Sequence, residues 1–496
     1  MVDSDTVHLG LDLGTSGMKG VACDGAGRVL ARGGAGYHTE RPEKGAAEQD
    51  PSQWLDATAA VVSKLAGDLG PRHVGGLSLS GMLPTLVLSD AGGRPCAPAV
   101  TWEDDRSSGH GDRLRDEVGG RRLYELTGQW VDGRYLLPMC LRIAEEQPAT
   151  VRRAAALLGA KDYLFSWLTG DLMTDPSTAA GFGCFGLVEG AFLEEIVRAG
   201  DALSPVGLPP LPAVEPASTL RPLAPRPARR LGLRAGIPVC LGAADSVLGA
   251  LGLGVRRAGD VAYVAGTSTV ILAVSGDARL DPLHRYLVTP LADEWGYGLE
   301  MDLVATGSSL GWLAGVLGSK SAADVMALAS AIDAADAPIV LPYLGGGEQG
   351  ALWDDSLRGA IVGLELGHGP EHLARGLVNG ILAETVRCLQ VLGEAGIAPA
   401  ELRAAGGSAI NESFRQDLAD ATGMVVAFPS DGEADRSALG AAQLLIEATG
   451  GDLVAESGEF RRTIPVAGRQ AMFAEVFARH DKTRLALHPP NPRSSA

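Results

Sequence analysis

Near its start the chain has an apolar run that contains one carboxylate and is followed by residues that favour a turn. Residues 7–13 read VHLGLDL, residues 21–23 read VAC, and residues 24–28 read DGAGR, a composition that favours a tight turn. The pattern predicts strands joined by turns rather than the strand–helix order of a dinucleotide-binding fold. Asp12 lies inside the first strand, and because a buried carboxylate without a partner is unfavourable, we expect a partner for its charge.

Apolar residues at helical spacing predict several helices. Asp50 supplies an N-cap and Pro51 a first-turn proline before a helix over residues 53–67. The residues that form one face of this helix are Trp54, Leu55, Thr58, Val61, Val62 and Leu65. Strands are predicted at residues 76–81 and 85–90, and later helices run from Glu371 to about Glu394 and from Arg436 to Ala448.

A proline-rich segment and a repeated triplet suggest how the chain divides. Prolines in residues 203–230 prevent a long helix or central strand, so we place a boundary just after them. The predicted domains are residues 1–235 and 236–487, with a frayed tail at 488–496. Gly266-Thr267-Ser268 repeats Gly14-Thr15-Ser16, and because each triplet lies between two predicted strands, the sequence predicts an internal duplication.

Composition limits the classes of partner. The chain has 496 residues, 46% of them hydrophobic, which is enough for two or three domains with their own cores. A net charge of −18 without a long basic run argues against nucleic acid or an anionic membrane as partner. Six cysteines without a CxxC pair argue against a disulfide framework or zinc site, and an acidic start without a spanning apolar run predicts a cytoplasmic protein.

The two Gly-Thr-Ser turns are the first candidates for ligand binding. Glycine allows close approach of the backbone, and turn N–H groups with neighbouring hydroxyls suit phosphate oxygens. Two such turns on facing domains would hold a nucleotide, and Asp12 would then face Mg²⁺. Alternatively, each triplet is only a turn and Asp12 bonds to backbone; their pairing favours the phosphate hypothesis.

Two further positions complete the candidate chemistry. Asp245 is predicted at a strand–helix junction of the second domain, where it would orient a hydroxyl for phosphoryl transfer; the alternative is an ordinary N-cap. Gly406-Gly407-Ser408 precedes a predicted helix from about Asn411. This uncharged turn suits an adenine or ribose, and the alternative is again a simple turn.

In order and spacing, these segments resemble the FGGY carbohydrate kinases of the sugar-kinase, Hsp70 and actin superfamily, from Leu9 to about Leu487. The matching segments are DLGTSGMK at 12–19, EQDP at 48–51 with Trp54, WEDDR at 102–106, KDYLFSWLTGDLMTD at 161–175, the Asp245 segment, the second GTS, PYLGGGE at 342–348 and the GGS turn at 406–408. The resemblance implies a two-domain α/β fold of the ribonuclease H-like (actin/hexokinase/Hsp70) type, with a duplicated core and an interdomain cleft. It also implies phosphorylation of a sugar or polyol hydroxyl with ATP and Mg²⁺.

The resemblance assigns roles to single residues. Asp245 matches the family's catalytic base, and Asp12 matches a residue that helps to bind Mg²⁺. Lys19 matches a basic residue near the phosphates in some members, although a solvated lysine is equally compatible with the sequence. The other positions that match nucleotide contacts are Thr15, Ser16, Gly266, Thr267, Gly307, Gly407, Ser408 and Asn411.

The acceptor site departs from the xylulokinase branch that it otherwise resembles. The matching acceptor positions are Leu83, Pro84, Trp102, Asp104, Arg106, Asp245 and Ser246, and Trp102 could equally be a core residue, with Asp104 and Arg106 a local ion pair. That branch usually reads Gln-Met-His where this chain reads Met82-Leu83-Pro84, and asparagine where it has Ser246. Because a histidine donor is missing, the acceptor should differ or carry fewer hydroxyls.

A pentulose of the xylulose type is the first candidate acceptor. The alternatives are ribulose, a tetritol, glycerol or a sugar acid, or a non-catalytic ATP-binding switch like other superfamily members. A homodimer is a candidate assembly.

Overall fold

The computed structural model describes residues 6–69, 73–293, 295–430, 435–451 and 460–489. These form two compact units. Unit 1 comprises the described residues of Met1–Gly254, Val288–Gly298 and Ala434–Ser457, and unit 2 those of Val255–Leu287, Leu299–Glu433 and Gly458–Ala496.

The first part of the chain contains strands and helices in mixed order. Its strands are β1 (Thr6–Leu13), β2 (Gly17–Cys23), β3 (Val29–Gly36), β4 (Glu48–Gln49), β5 (His73–Gly81), β6 (Leu86–Ser89), β7 (Ala99–Val100), β8 (Ala156–Gly159), β9 (Met173–Thr174), β10 (Phe185–Gly186), β11 (Ala191–Phe192), β12 (Ala213–Val214), β13 (Leu220–Pro222) and β14 (Pro238–Ala244). Its helices are α1 (Pro51–Asp68), α2 (Ser108–Val118), α3 (Gly120–Thr127), α4 (Leu136–Glu146), α5 (Pro148–Arg153), α6 (Ala160–Thr169), α7 (Pro176–Ala180), α8 (Glu194–Leu203), α9 (Pro225–Leu231) and α10 (Asp245–Gly252).

The second part of the chain continues in the same mixed pattern. Its strands are β15 (Val261–Ala265), β16 (Thr269–Ser275), β17 (Leu287–Pro290), β18 (Tyr297–Leu303), β19 (Ile339–Leu341), β20 (Ala360–Val362), β21 (Glu401–Ala405), β22 (Val425–Pro429) and β23 (Phe460–Thr463). Its helices are α11 (Gly307–Leu317), α12 (Ala322–Ala329), α13 (Pro370–Glu394), α14 (Gly407–Ile410), α15 (Glu412–Thr422), α16 (Arg436–Ala448) and α17 (Arg469–Leu487), with a 3-10 turn at Ala334–Asp336. No helix in the described part of the chain is long and apolar enough to cross a membrane.

Both units are built on a sheet with the same local arrangement of strands. In unit 1 the order is β13-β14-β5-β1-β2-β3, with β1 antiparallel to β2 and parallel to β5. In unit 2 the order β18-β16-β15-β21-β22-β23 places β15 antiparallel to β16 and parallel to β21. Each Gly-Thr-Ser triplet therefore joins equivalent antiparallel strands, as the predicted duplication requires.

The local predictions agree with the described elements. Helix α1 begins at Pro51, and its N-cap Asp50 accepts a hydrogen bond from Ser52 N at 2.9 Å. The helices predicted near Glu371 and Arg436 are α13 and α16, with bounds within one residue of those expected. Of the predicted tail, residues 490–496 lie outside the described residues.

The predicted boundary after residue 235 differs from the division of the structure. Strand β14 pairs in parallel with β5, and α10 follows it directly, so unit 1 continues to Gly254. Helix α16, predicted in the second domain, also belongs to unit 1 because it packs on β1 and α10. Prolines mark where long elements cannot run, whereas strand pairing and helix burial decide which unit a segment joins.

Helix α16 contacts β1 and α10 through backbone atoms. A Cβ added to Gly10 would lie 1.8 Å from the Ala438 carbonyl oxygen, and one added to Gly440 would lie 1.9 Å from that of Leu248. Gly252 of α10 likewise meets α16, because a Cβ added there would lie 2.0 Å from the Arg436 carbonyl oxygen. Any side chain at these positions would separate the three elements.

We expect Gly440→Ala to lower the free energy of unfolding by about 3 kcal/mol, because the added methyl group overlaps the backbone of α10. Gly67→Ala is the matched control, since a Cβ at this exposed position of α1 meets nothing within 4 Å. Alanine there should stabilise the protein by roughly 0.5–1 kcal/mol through helix propensity. Calorimetric unfolding measures both variants, and equal midpoints would contradict the close packing.

Candidate active site

The register of the unit 1 sheet places several predicted site residues in one row. Asp12 of β1 lies opposite Lys19 of β2 on one side and opposite Ser80 of β5 on the other. Ser80 lies opposite Ala243 of β14, two residues before Asp245. The parallel strands β1, β5 and β14 therefore end at one edge of the sheet, where the following loops carry candidate side chains.

The Asp12 carboxylate is buried beside another acid. Its side chain is 4% exposed, and its Oδ1 accepts a hydrogen bond from Ser80 Oγ at 2.7 Å. Burial raises the pKa of Asp12 to about 7, and the charge of Asp435 adds to this effect, whereas Ser80 and Lys19 act in the opposite direction. The charged form of Asp12 is therefore disfavoured in this environment, and a divalent cation would stabilise it.

Asp435 was not selected from the sequence, yet it lies at the same place. Its Oδ2 is 2.8 Å from Lys19 Nζ, and its Oδ1 accepts a hydrogen bond from Ala438 N at 2.9 Å as the N-cap of α16. Burial alone lowers the pKa of Lys19, but the charges of Asp435, Asp12 and Asp245 outweigh burial and raise it. Lys19 thus lies among carboxylates rather than in solvent alone.

Asp245 lies in unit 1 with Asp12, which corrects its expected place on a second domain. It is the first residue of α10, and because Ala244 occupies the N-cap position, the simple N-cap alternative is wrong. Ser246 N donates a hydrogen bond to Asp245 Oδ1 at 2.8 Å. Ser437 Oγ of α16 donates to the Asp245 carbonyl at 2.9 Å, which ties the starts of the two helices together.

The first Gly-Thr-Ser turn is fixed by two side chains from other segments. Trp102 Nε1 donates to Thr15 Oγ1 at 3.0 Å, and Gln49 Nε2 donates to the Thr15 carbonyl at 2.8 Å. Gln49 Oε1 in turn accepts a hydrogen bond from Trp54 Nε1 at 2.9 Å. The EQDP segment and Trp54 therefore support this turn, and Ser16 remains exposed within it.

Asp104 and Arg106 form the local ion pair that was the alternative to an acceptor contact. Asp104 is 1% exposed, and its Oδ2 accepts from Ala47 N at 2.9 Å and lies 2.6 Å from Arg106 Nη2. Arg106 Nη2 also lies 2.5 Å from Glu48 Oε1. These bonds hold the loop that carries Trp102.

The remaining acceptor candidates are two apolar residues, Leu83 and Pro84, and the small polar residue Ser246. A Cβ added to Gly181 would lie 2.3 Å from Leu83 Cδ1, so Leu83 packs directly on that backbone. Pro84 is half-buried beside it. The Ser246 hydroxyl is buried without a hydrogen-bond partner among the described residues. A buried hydroxyl of this kind is a candidate donor to a ligand.

In unit 2 the structure brings the predicted glycine turns together. A Cβ added to Gly307 would lie 2.2 Å from the Gly266 carbonyl oxygen. Gly406 has φ +93°, and a Cβ added to it would lie 2.3 Å from the Ala265 carbonyl oxygen. The turns after β15, β18 and β21 therefore meet with only backbone between them.

The polar residues of these turns differ in what they offer. Thr267 is exposed, and its carbonyl accepts a hydrogen bond from Ser308 N at 3.0 Å. Gly407 is exposed and Ser408 is buried at the start of α14. Asn411 caps α15, its Oδ1 accepting a backbone N–H at 2.9 Å.

These residues fit the cofactors that the resemblance implies. Among the described residues no group of three or more His, Cys, Asp or Glu is arranged to hold a metal. Mg²⁺ is usually held by one or two carboxylates together with water and phosphate oxygens, so the buried Asp12 beside Asp435 matches its needs. The glycine turns leave room for a ligand to approach backbone atoms closely.

Three supporting residues were not selected as site residues from the sequence, although Gln49 lies in the EQDP segment. Ser80, Gln49 and Asp435 reach the site through strand register and helix packing. A signal existed for Ser80, because serines alternate with leucines in an otherwise apolar strand. For Asp435 the signal was an acidic N-cap before a helix rich in small residues.

Comparison with known proteins assigns most of the chain to a family. Residues 7–252 match the N-terminal domain of the FGGY family of carbohydrate kinases, and residues 261–448 match its C-terminal domain. A xylulose kinase of Escherichia coli (strain K12) is 30% identical over 442 residues, 88% of this chain and 89% of that protein. A gluconokinase of Bacillus subtilis (strain 168) is 27% identical over 458 residues, 89% and 87% of the two chains.

The fold agrees with these matches. The crystal structure of gluconate kinase from Lactobacillus acidophilus is similar with a TM-score of 0.89 over 97% of this chain and 98% of that chain, at 24% identity. The predicted two-domain, ribonuclease H-like α/β class is therefore confirmed. With both family domains matched in order, the chain belongs to the FGGY family of carbohydrate kinases, ATP-dependent enzymes that phosphorylate a sugar or polyol hydroxyl with Mg²⁺ as cofactor.

Proposed function

We propose that Asp245 is the catalytic base of this kinase and that Asp12 helps to hold its Mg²⁺. The observation that supports both roles is the row Lys19–Asp12–Ser80 across the sheet, with Asp245 just beyond the strand that ends the row. A base at this edge would take the proton of the attacking hydroxyl and orient its oxygen. Mg²⁺ would supply positive charge for the phosphate oxygens.

The proposed nucleotide contacts lie in both units. Thr15 and Ser16 offer hydroxyls and backbone N–H groups at the end of β1, where Trp102 and Gln49 hold the turn in place. In unit 2 we assign Gly266 and Thr267 to phosphate, and Gly307, Gly407, Ser408 and Asn411 to the surroundings of the nucleotide. Lys19 would neutralise part of the phosphate charge while Asp435 keeps its ammonium group in position.

We propose a pentulose as the acceptor, and gluconate as the second candidate. The xylulose kinase relative supports the first choice, and the gluconokinase relative, of similar coverage, supports the second. In this proposal Leu83 and Pro84 give this part of the site an apolar wall, Trp102 supplies a ring face, and the Ser246 hydroxyl supplies a polar group. Such a wall favours an acceptor that presents few hydroxyls on that side.

A substrate panel tests the acceptor. We expect ADP formation with xylulose to exceed that with gluconate by about 10-fold or more in kcat/KM, since buried polar groups discriminate hydroxyl patterns strongly. Ribulose, erythritol and glycerol complete the panel. A higher value for gluconate would transfer the assignment to sugar acids, and ADP release only in the presence of another protein would favour the switch alternative.

Asp245→Asn should lower kcat by about 10²–10⁴-fold, because the amide cannot take the proton of the acceptor hydroxyl. Nucleotide affinity, measured by calorimetric titration, should stay close to that of the parent. The side chain keeps its size, so thermal unfolding provides the folding control. Phosphorylation at the parental rate by Asp245→Asn would show that another group is the base.

Asp12→Asn should raise the Mg²⁺ concentration needed for half-maximal activity, because a neutral amide is a poorer ligand for a hard cation than a carboxylate. The same variant should be folded at neutral pH, since the isosteric amide removes a charge that burial disfavours. Activity is measured across a Mg²⁺ series at fixed ATP. An unchanged Mg²⁺ dependence would exclude Asp12 from metal binding.

The cytoplasmic location and the homodimer stay predictions. The first rests on the cysteine content, and fractionation of the host cell would test it. The second would be tested by light scattering of the purified chain.

A further inference from the structure

A fully buried ion cluster lies in unit 1 away from solvent. Lys161 is 1% exposed, and its Nζ lies 2.9 Å from Asp162 Oδ1 and 3.1 Å from Asp175 Oδ1, both carboxylates being completely buried. Gly81 makes room for it, because a Cβ there would lie 2.8 Å from Lys161 Cβ. Burying three charged groups has a large desolvation cost that apolar residues would avoid. Stability alone therefore does not account for this cluster.

The cluster connects through Ser177 to the residue before Asp245. Asp175 Oδ2 accepts a hydrogen bond from Ser177 N at 2.9 Å and another from the Ser177 hydroxyl. The Ser177 hydroxyl oxygen in turn accepts a hydrogen bond from Ala244 N at 2.9 Å. The Lys161 ammonium group contacts Asp175 as an ion pair, and the links from the Ser177 hydroxyl to Asp175 and from Ala244 N to that hydroxyl are hydrogen bonds. The Ala243–Ala244 peptide group, which ends one residue before Asp245, is thus linked through Ser177 to a buried charge.

A second bond from the cluster holds the same strand end. Lys161 Nζ donates to the Leu241 carbonyl at 3.3 Å. The register of β14 shifts between Cys240 and Ala243, and Gly242 has φ +75° in the shifted segment. A Cβ at Gly242 would lie 1.6 Å from the Leu79 carbonyl oxygen, so the irregular strand lies tightly on β5. Where a strand leaves its regular ladder, side-chain contacts must supply the missing hydrogen bonds.

The segment that carries Ser177 also contacts the acceptor side. Ser177 lies in α7, and Gly181, which follows that helix, packs against Leu83. One short segment therefore contacts both the strand end before the base and a residue of the proposed acceptor wall. A shift of this segment would change the distance between base and acceptor, and displacements of about 1 Å can lower a rate roughly 100-fold.

We propose that Lys161, Asp162 and Asp175 act as positioning residues for Asp245, and that the Ser177 hydroxyl transmits their effect. This inference rests on the proposed role of Asp245 as base. None of these side chains contacts the acceptor or the nucleotide in the proposal; they fix the backbone from which the base extends. Their burial leaves the cluster with one arrangement, so the base has one position.

Ser177→Ala is the direct test, because replacing Lys161 itself would leave buried charges unpaired and threaten folding. We expect kcat to fall by about 10- to 100-fold while KM for ATP changes less than about 2-fold. Ser177→Thr keeps the hydroxyl and should recover most of the lost kcat. Loss of activity that Ser177→Thr does not recover would count against transmission through the hydroxyl.

Thr127→Val is the matched control. Thr127 is also buried in unit 1, and its hydroxyl oxygen likewise accepts a backbone N–H, that of Gln129 at 3.1 Å. Both variants therefore leave one buried N–H without its acceptor, and both should lower the melting temperature by similar amounts. Only Ser177→Ala should lower kcat. If the two variants lose stability equally and keep equal kcat, the cluster is structural and the proposal is wrong.

A double-mutant cycle separates this proposal from the role of the base. Single-turnover rates are measured for the parent, Ser177→Ala, Asp245→Asn and the double variant. If Ser177 acts through Asp245, its substitution should cause no further decrease in the Asp245→Asn background. An equal decrease in both backgrounds would overturn the positioning role alone. Full activity of Asp245→Asn would instead overturn the base assignment.

Discussion

The direct contact of helix α16 with strand β1 and helix α10 is the constraint on which unit 1 depends. Glycine at positions 10, 252 and 440 lets backbone meet backbone, because a Cβ added at any of the three would lie only 1.8–2.0 Å from a carbonyl oxygen. Asp12 lies two residues beyond Gly10 on the same face of β1, and α16 begins beside it. The absence of side chains at these glycines is therefore what allows Asp12 and Asp435 to come within electrostatic range.

The same contact explains why local patterns gave the elements but not their grouping. The helix over residues 436–448 was predictable from its own apolar spacing, and α1 from its cap and first-turn proline. The membership of α16 in unit 1 depends on contacts with residues almost two hundred positions earlier or more. The proline-rich segment gave a plausible boundary from composition, yet the pairing of β14 with β5 carried unit 1 past it. Long-range pairing leaves little trace in a local window.

The residues of the candidate site also fall into those that local sequence could reveal and those that only the structure shows. Asp12 and the glycine turns could be selected because each makes a local sequence unusual, a charge in an apolar strand or a repeated turn between strands. Ser80 and Asp435 have ordinary neighbours, and Gln49 lies in a matched segment that does not reveal its partner. Only register and packing show what these three residues contact. For Asp104 the sequence motif pointed to a role that its contacts in the structure do not support. Its motif matched an acceptor position, while its two oxygens serve Arg106 and a backbone N–H.

Charge finally explains how an acidic chain can serve a polyanionic cofactor. In unit 1 the carboxylates Asp12, Asp245 and Asp435 lie within electrostatic range of the ammonium group of Lys19, so these carboxylates would repel bare phosphate. A bound divalent cation would make the local charge positive, and it would also stabilise the charged form of Asp12. The turns of unit 2 require no cation to bind phosphate, because backbone N–H groups bind phosphate oxygens without carrying a net charge. Metal and nucleotide should therefore bind to unit 1 together rather than separately.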